Sequence, residues 1–267
     1  MKKIAIMSVP RSGSSWLGKT FSASPTVEYR FQPNFSYSFP YSISKTSSEI
    51  QIDEFFRELH QTTDPFVLSG LDIDGQYQKN QEIKASNSTL VWKEVHALDL
   101  APSLIEGNHS KIIGLIRNPL AVLNSWSKAP REFHREWNIE DEWMHAEKKN
   151  NENPGNYFGF MKWVESTRMF LNLEEQFPHD LKIVFYDDLL ADPFQEIQAL
   201  FKWSGIPFSS QVRDFILDSK SKSSEHAYSV YNPRVKDDDW IKHLPPKLIA
   251  EIREELIRVD LSRLFKI

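Results

Sequence analysis

Five short apolar, β-prone runs recur along the chain: residues 4–9 (IAIMSV), 26–31 (TVEYRF), 89–96 (TLVWKEVH), 111–116 (KIIGLI) and 181–186 (LKIVFY). Each is short enough to be one strand, and the most uniformly apolar ones suit a sheet buried on both faces. Between and after them, apolar residues return at helical spacing. Trp16, Leu17 and Phe21 open such a pattern, which must end before Pro25. Helices are likewise expected over 49–62, 97–106, 119–126, 157–177, 208–218 and 246–259. Strands alternating with helices suit an α/β arrangement, and the length allows one large α/β domain or two small ones. Residues 64–88 are polar and read as loop or weak turn. Residues 130–156, charged and rich in Asn, read as a surface excursion and a candidate lid. Residues 219–239, rich in Ser and Lys, read as a loop.

The first strand runs into Pro10-Arg11-Ser12-Gly13-Ser14-Ser15, which holds one cation and three hydroxyls. A strand, a small-residue loop and a helix N-terminus aim several backbone N–H groups at one anion, so this stretch predicts a phosphate or sulfate cradle. Two registers fit. Residues 13–20 (GSSWLGKT) satisfy the nucleotide-triphosphate pattern, with Lys19 on the phosphates and Asp187 available for Mg²⁺. That register leaves barely one helical turn before Pro25 and puts Trp16 and Leu17 in a loop that must touch phosphate. In the other register the loop is 10–15, the helix begins near Ser14, and Arg11 is the cation.

Composition narrows the setting. Forty per cent hydrophobic content over 267 residues supports a full core. A formal net charge of −5 argues against a general nucleic-acid or membrane-surface binder. The absence of cysteine excludes disulfides and thiol chemistry and fits a reducing compartment. No run approaches the ~20 residues of a membrane span, so a soluble cytoplasmic protein is expected.

The sequence PRSGSSW resembles the 5′-phosphosulfate loop of the sulfotransferases that use 3′-phosphoadenosine-5′-phosphosulfate (PAPS). The stretch RNPLAVLNSW (117–126) resembles their 3′-phosphate element, with Arg117 at a strand end and Ser125 eight residues on. FYDDLLADPFQEIQALFKWSGIPF resembles the family's next segment, whose Tyr, here Tyr186, approaches the adenine; Asp187 stands where Glu is usual. The basic loop before Trp240-Ile241-Lys242-His243-Leu244 resembles the C-terminal loop over the 3′-phosphate (219–240), with Arg234 and Lys236 as best matches, although the R-K-G triplet is absent.

The resemblance implies an α/β fold, a single P-loop-like domain over residues 1–267 with a central parallel β-sheet flanked by helices, and sulfuryl transfer from PAPS, leaving adenosine 3′,5′-bisphosphate, with no metal. It implies cosubstrate contacts from Arg11, Ser12, Gly13, Ser14, Ser15, Trp16, Arg117, Ser125, Tyr186, Arg234 and Lys236. Many family members draw a base from an E-P after the first helix. Here the pair is Gln32-Pro33, and Gln is no base. The small-molecule branch has Lys-x-His at the strand end matched by the run 89–96; here it is Lys93-Glu94-Val95-His96, so Glu94 or His96 is the expected base, with Lys93 near the sulfuryl oxygens and Arg11 at the leaving phosphate. The acceptor is a small molecule or a glycan. The aromatic segment 31–41 either forms an apolar acceptor wall or packs a loop on the core, and it leans the reading toward an alcohol or phenol. Two other classes stay open here: a kinase using ATP and Mg²⁺, and a non-catalytic module that binds adenosine bisphosphate.

Overall fold

A computed structural model of the chain describes residues 1–35, 39, 42–69, 88–221 and 237–265. Its elements in order are β1 (Lys3–Met7), α1 (Ser14–Ser22), β2 (Val27–Phe31), α2 (Glu49–Gln61), α3 (Pro65–Ser69), β3 (Thr89–Glu94), α4 (Ala101–Glu106), β4 (Lys111–Ile116) and α5 (Pro119–Ser127). Then come α6 (Ile139–Glu142), α7 (Glu147–Asn150), α8 (Phe160–Gln176), β5 (Leu181–Phe185), α9 (Tyr186–Ala191), α10 (Pro193–Ser204), α11 (Ser210–Ser221), α12 (Trp240–His243) and α13 (Pro246–Arg258).

The five strands form one sheet in the order β2-β3-β1-β4-β5, every neighbouring pair parallel. β1 is central: Ala5 lies beside Trp92 of β3 and Ile112 of β4. Alternation along β1 splits the core in two. Ala5 and Met7 join Trp92, Ile112 and the apolar faces of α2, α5, α8 and α13. Ile4 and Ile6 join Leu17 and Phe21 of α1 with Ile197, Leu200 and Phe201 of α10. Both sheet faces are thus covered, as a parallel sheet requires. Phe21 stacks on Phe201 at 4.6 Å between ring centroids. Burying Leu17 and Phe21 completely contributes about 2–3 kcal/mol each toward holding α1 on the sheet.

The five strands and the long helices lie where the hydrophobic periodicity puts them. Three differences have local causes. Residues 65–69, expected as loop, form α3: Pro65 sits at its first position, and Asp64 Oδ1 accepts a hydrogen bond from the Phe66 amide at 2.8 Å. Residues 130–156 contain α6 and α7 and bury Phe133 and Trp143 in the core, with Phe133 edge-on to Trp126 at 4.9 Å. Polar residues dominate that segment's composition, but its few aromatics decide its path. Finally, α8 begins at Phe160 and not at Tyr157, because Gly159 at φ +83° turns the chain. No described helix is long and apolar enough to cross a membrane.

Candidate functional site

The C-terminal ends of β1, β3 and β4 meet at one edge of the sheet, on both sides of the central strand. In open parallel sheets this is where ligands bind. The loop after β1 adopts the second register: α1 starts at Ser14, directly after Gly13 at φ +93°. Gly18 and Lys19 therefore lie inside the helix, and GSSWLGKT is not a triphosphate loop. Gly18 has a packing reason of its own, since a Cβ there would overlap the hydroxyl of Tyr29 on β2. Gly13 is needed both for its positive φ and for space: a Cβ would stand 2.5 Å from the Tyr186 ring.

Arg11 also has a positive φ, +69°. Its Nε donates to Ser125 Oγ on α5 at 3.2 Å, and its Nη1 lies 3.7 Å from Glu132 Oε2. The first amides of α1 have no partner within the helix, as at any helix start. The Oγ atoms of Ser8 and Ser12 are buried and make no hydrogen bond among the described residues. Orphaned hydroxyls beside a helix N-terminus and an arginine suit a multiply charged anion.

At the end of β3, Lys93 is buried. Its Nζ donates to Ser15 Oγ at 3.1 Å and lies 4.3 Å from the centre of the Phe31 ring. Burial lowers its pKa to about 7; Arg11 and Lys19 push the same way, while Glu94 and Glu132 resist. Lys19 is lowered to about 8 by burial. Glu94 accepts from the amides of Val95 and His96 through Oε1, at 2.9 and 3.0 Å, and from the Asn34 amide through Oε2, at 3.2 Å. Both of its oxygens thus tie backbone together, including the turn after β2. Burial raises its pKa to about 7 against the pull of those amides and of Lys93. The strand ends at Glu94, so His96 lies beyond it.

His96 is buried, and its ring stacks on Phe35 at 4.7 Å. Nδ1 has no hydrogen-bond partner among the described residues. Burial and Lys93 lower its pKa to about 4, opposed by a hydrogen bond with the Asn156 side chain, so the imidazole is neutral at neutral pH. Phe35 continues through Phe66 to Phe31, at 6.0 and 5.2 Å between centroids, making an aromatic wall beside His96 and Lys93. Phe39 of the same segment turns into the core instead, and Tyr37 and Tyr41 lie outside the described residues.

Arg117 ends β4. Its Nη1 donates to the Arg11 carbonyl at 2.6 Å, and its Nε and Nη2 donate to the two carboxylate oxygens of Asp237 at 2.7 and 2.6 Å. Its guanidinium lies over the Tyr186 ring, 4.6 Å from the centroid. Burial works against its charge, but Asp237 prevails and raises its pKa. Residues more than a hundred positions apart are thus joined: Arg11 with Arg117, and Arg11 with Ser125. Trp16 is half-buried on the α1 side of the sheet. Arg234 and Lys236 lie outside the described residues. Two carboxylates escaped the sequence reading, Glu132 near Arg11 and Asp237 on Arg117. Each lies in a charged run, PREFHRE and VKDDD, where no spacing marks one acid from its neighbours.

A family model described as "Sulfotransferase domain" matches residues 1–259. Carbohydrate sulfotransferase 3 of Tetronarce californica is 25% identical over 149 residues, which are 54% of this chain and 33% of that protein, so the match spans about a third of the relative's length. Among solved structures, mouse sulfotransferase SULT7A1 complexed with PAP superposes with a TM-score of 0.58 at 14% identity, over 98% of this chain and 86% of the other. Retinol dehydratase in a complex with retinol and PAP gives a TM-score of 0.58 at 14% identity, over 97% and 82%. At such identities the two structures speak for the fold.

Proposed function

The chain belongs to the sulfotransferase family, and from that premise we propose that it transfers the sulfuryl group of PAPS to the hydroxyl of an apolar alcohol or phenol. The observation that carries the cosubstrate reading is the joining of the two anion elements: Arg117 donates to the Arg11 carbonyl at 2.6 Å, and Arg11 donates to Ser125 at 3.2 Å. One anion site at the cradle and a second at Arg117 and Ser125 suit a nucleotide carrying phosphate at both its 5′ and 3′ positions. Ser12, Gly13, Ser14, Ser15 and the amides of α1 would hold the 5′-phosphosulfate, and Trp16 and Tyr186 would flank the adenine.

His96 is the base in this reading, because both oxygens of Glu94 are already taken up by backbone amides. The acceptor oxygen attacks sulfur as its proton passes to His96 Nδ1. The bond from sulfur to the 5′-phosphate oxygen breaks, and adenosine 3′,5′-bisphosphate leaves with the electron pair. Arg11 meets the charge growing on that phosphate, and Lys93 meets the sulfuryl oxygens. The wall of Phe31, Phe66 and Phe35 supports an apolar acceptor. Retinol dehydratase, of the same fold, was crystallised with the apolar alcohol retinol.

Calorimetric titration with adenosine 3′,5′-bisphosphate, beside ATP with Mg²⁺, tests the cosubstrate. Metal-independent binding of the bisphosphate is expected, weakened roughly thirtyfold or more in Arg117→Ala, as befits loss of a buried, charge-assisted phosphate contact. A preference for ATP with Mg²⁺ would overturn the reading.

A further inference from the structure

Arg117 presents one edge, Nε with Nη2, that fits two oxygens of a single anion. Asp237 takes that edge with both carboxylate oxygens. Its side chain is 4% exposed and that of Arg117 6%, so water does little to weaken the pair. The opposite nitrogen, Nη1, is committed to the Arg11 carbonyl, and Tyr186 covers one face. A second carboxylate, Asp187, is near enough for Asp237 to help burial raise its pKa, while Arg117 lowers it. Among the described residues, one guanidinium therefore faces two carboxylates. A phosphate monoester brought to Arg117 with Asp237 still in place would meet that carboxylate's negative charge in a buried setting, where such repulsion is strong.

Resting on the cosubstrate reading above, we propose that Asp237 is an internal competitor for the 3′-phosphate: carboxylate and phosphate alternate on the same edge of Arg117, and Asp237 thereby sets the affinity for cosubstrate and product alike. The main chain of Asp237 is anchored apart from its carboxylate, because its carbonyl accepts from Trp240 Nε1 at 2.9 Å and Trp240 is buried in the core. A change of side-chain rotamer is enough to release Arg117. The return is intramolecular, so the carboxylate competes at high effective concentration. A dianionic phosphate outbids one carboxylate by charge, yet binds less tightly than it would on an unpaired arginine. Cosubstrate and bisphosphate product share the 3′-phosphate, so the competitor also hastens product departure.

The test is bisphosphate titration of wild type, Asp237→Asn and Asp237→Ala, each also in an Arg117→Ala background, with thermal melting to confirm folding. If the pair occupies Arg117 about nine-tenths of the time, removing the competitor tightens binding about tenfold. That gain is expected in both Asp237 variants, is absent without Arg117, and does not extend to ADP, which lacks the 3′-phosphate. Unchanged or weaker bisphosphate binding in both variants, with wild type still binding and Arg117→Ala impaired, would overturn the inference: Asp237 would then only position Arg117, and the cosubstrate reading would stand. If wild type fails to bind the bisphosphate, both fall together. Should the variants not fold, ¹³C-carboxylate NMR of wild type decides. The Asp237 resonance moves on saturation with bisphosphate if the carboxylate is displaced, and an unmoved resonance overturns the proposal.

Discussion

Arg11 sits on a loop at φ +69°, touches Ser125 at 3.2 Å and lies 3.7 Å from Glu132. Arg117, one hydrogen bond away, is buried at a strand end with three donor contacts of 2.6 to 2.7 Å and an aromatic ring over its face. One cation stands on a loop with these longer contacts, the other at a strand end with short ones. A guanidinium on that loop can follow negative charge as it moves from sulfuryl group to leaving phosphate. A pinned one fixes where the nucleotide sits. On the proposed reading, the difference would give rate to Arg11 and affinity to Arg117.

The sharpest way to break that division is Arg11→Ala. Its expected effect is a fall in kcat of about 10²- to 10³-fold, the usual cost of removing one donor aimed at developing charge, with only a few-fold change in bisphosphate Kd. Steady-state kinetics beside calorimetry would read it. Loss of affinity with kcat intact would erase the distinction between the two arginines.

The next effect comes from pH. Lys93 must be charged to meet sulfuryl oxygens, and its pKa is near 7, so kcat/KM should fall about tenfold per pH unit above that value. Neutral His96, with its pKa near 4, is competent throughout that range. Glu94 titrates in the same window, near 7, but its oxygens face backbone amides. Lys93→Met should therefore abolish the alkaline limb and Glu94→Gln should leave it. The opposite pattern in the two pH profiles would move the essential proton to Glu94.

The smallest effect concerns the loop register. Gly18→Ala forces a methyl group against Tyr29, and overpacking of this kind costs about 1–3 kcal/mol, partly offset by the better helix propensity of alanine. Thermal melting should register that cost, while bisphosphate Kd stays within about threefold, because Gly18 lies inside α1 and away from the cradle. A collapse of nucleotide binding with stability intact would restore Gly18 to the phosphate loop.

Much of the site was legible before any coordinates. The loop of residues 10–15, Arg117 and Ser125 each announce themselves by a local cue: small residues after a strand, a cation at a strand end, and a hydroxyl two turns into the following helix. Glu94 and His96 were legible as a pair but not as separate roles. Only the packed structure shows that one oxygen of Glu94 reaches the turn at Asn34 and the other the amides of Val95 and His96. Glu132 and Asp237 were not legible, since in charged runs nothing local distinguishes a carboxylate that turns inward from its solvated neighbours.

What the sequence determined by itself is the alternation of strands and helices, the two-sided core and the position of the loop we propose as the first anion cradle. These follow from periodicity and turn chemistry, which act over a few residues. The tertiary structure alone decided which carboxylate meets which arginine, and that Lys93, Glu94 and His96 depart so far from their ordinary acidities. Those properties arise from desolvation and from contacts between segments more than a hundred residues apart, such as Arg117 with Asp237, and no local pattern encodes them.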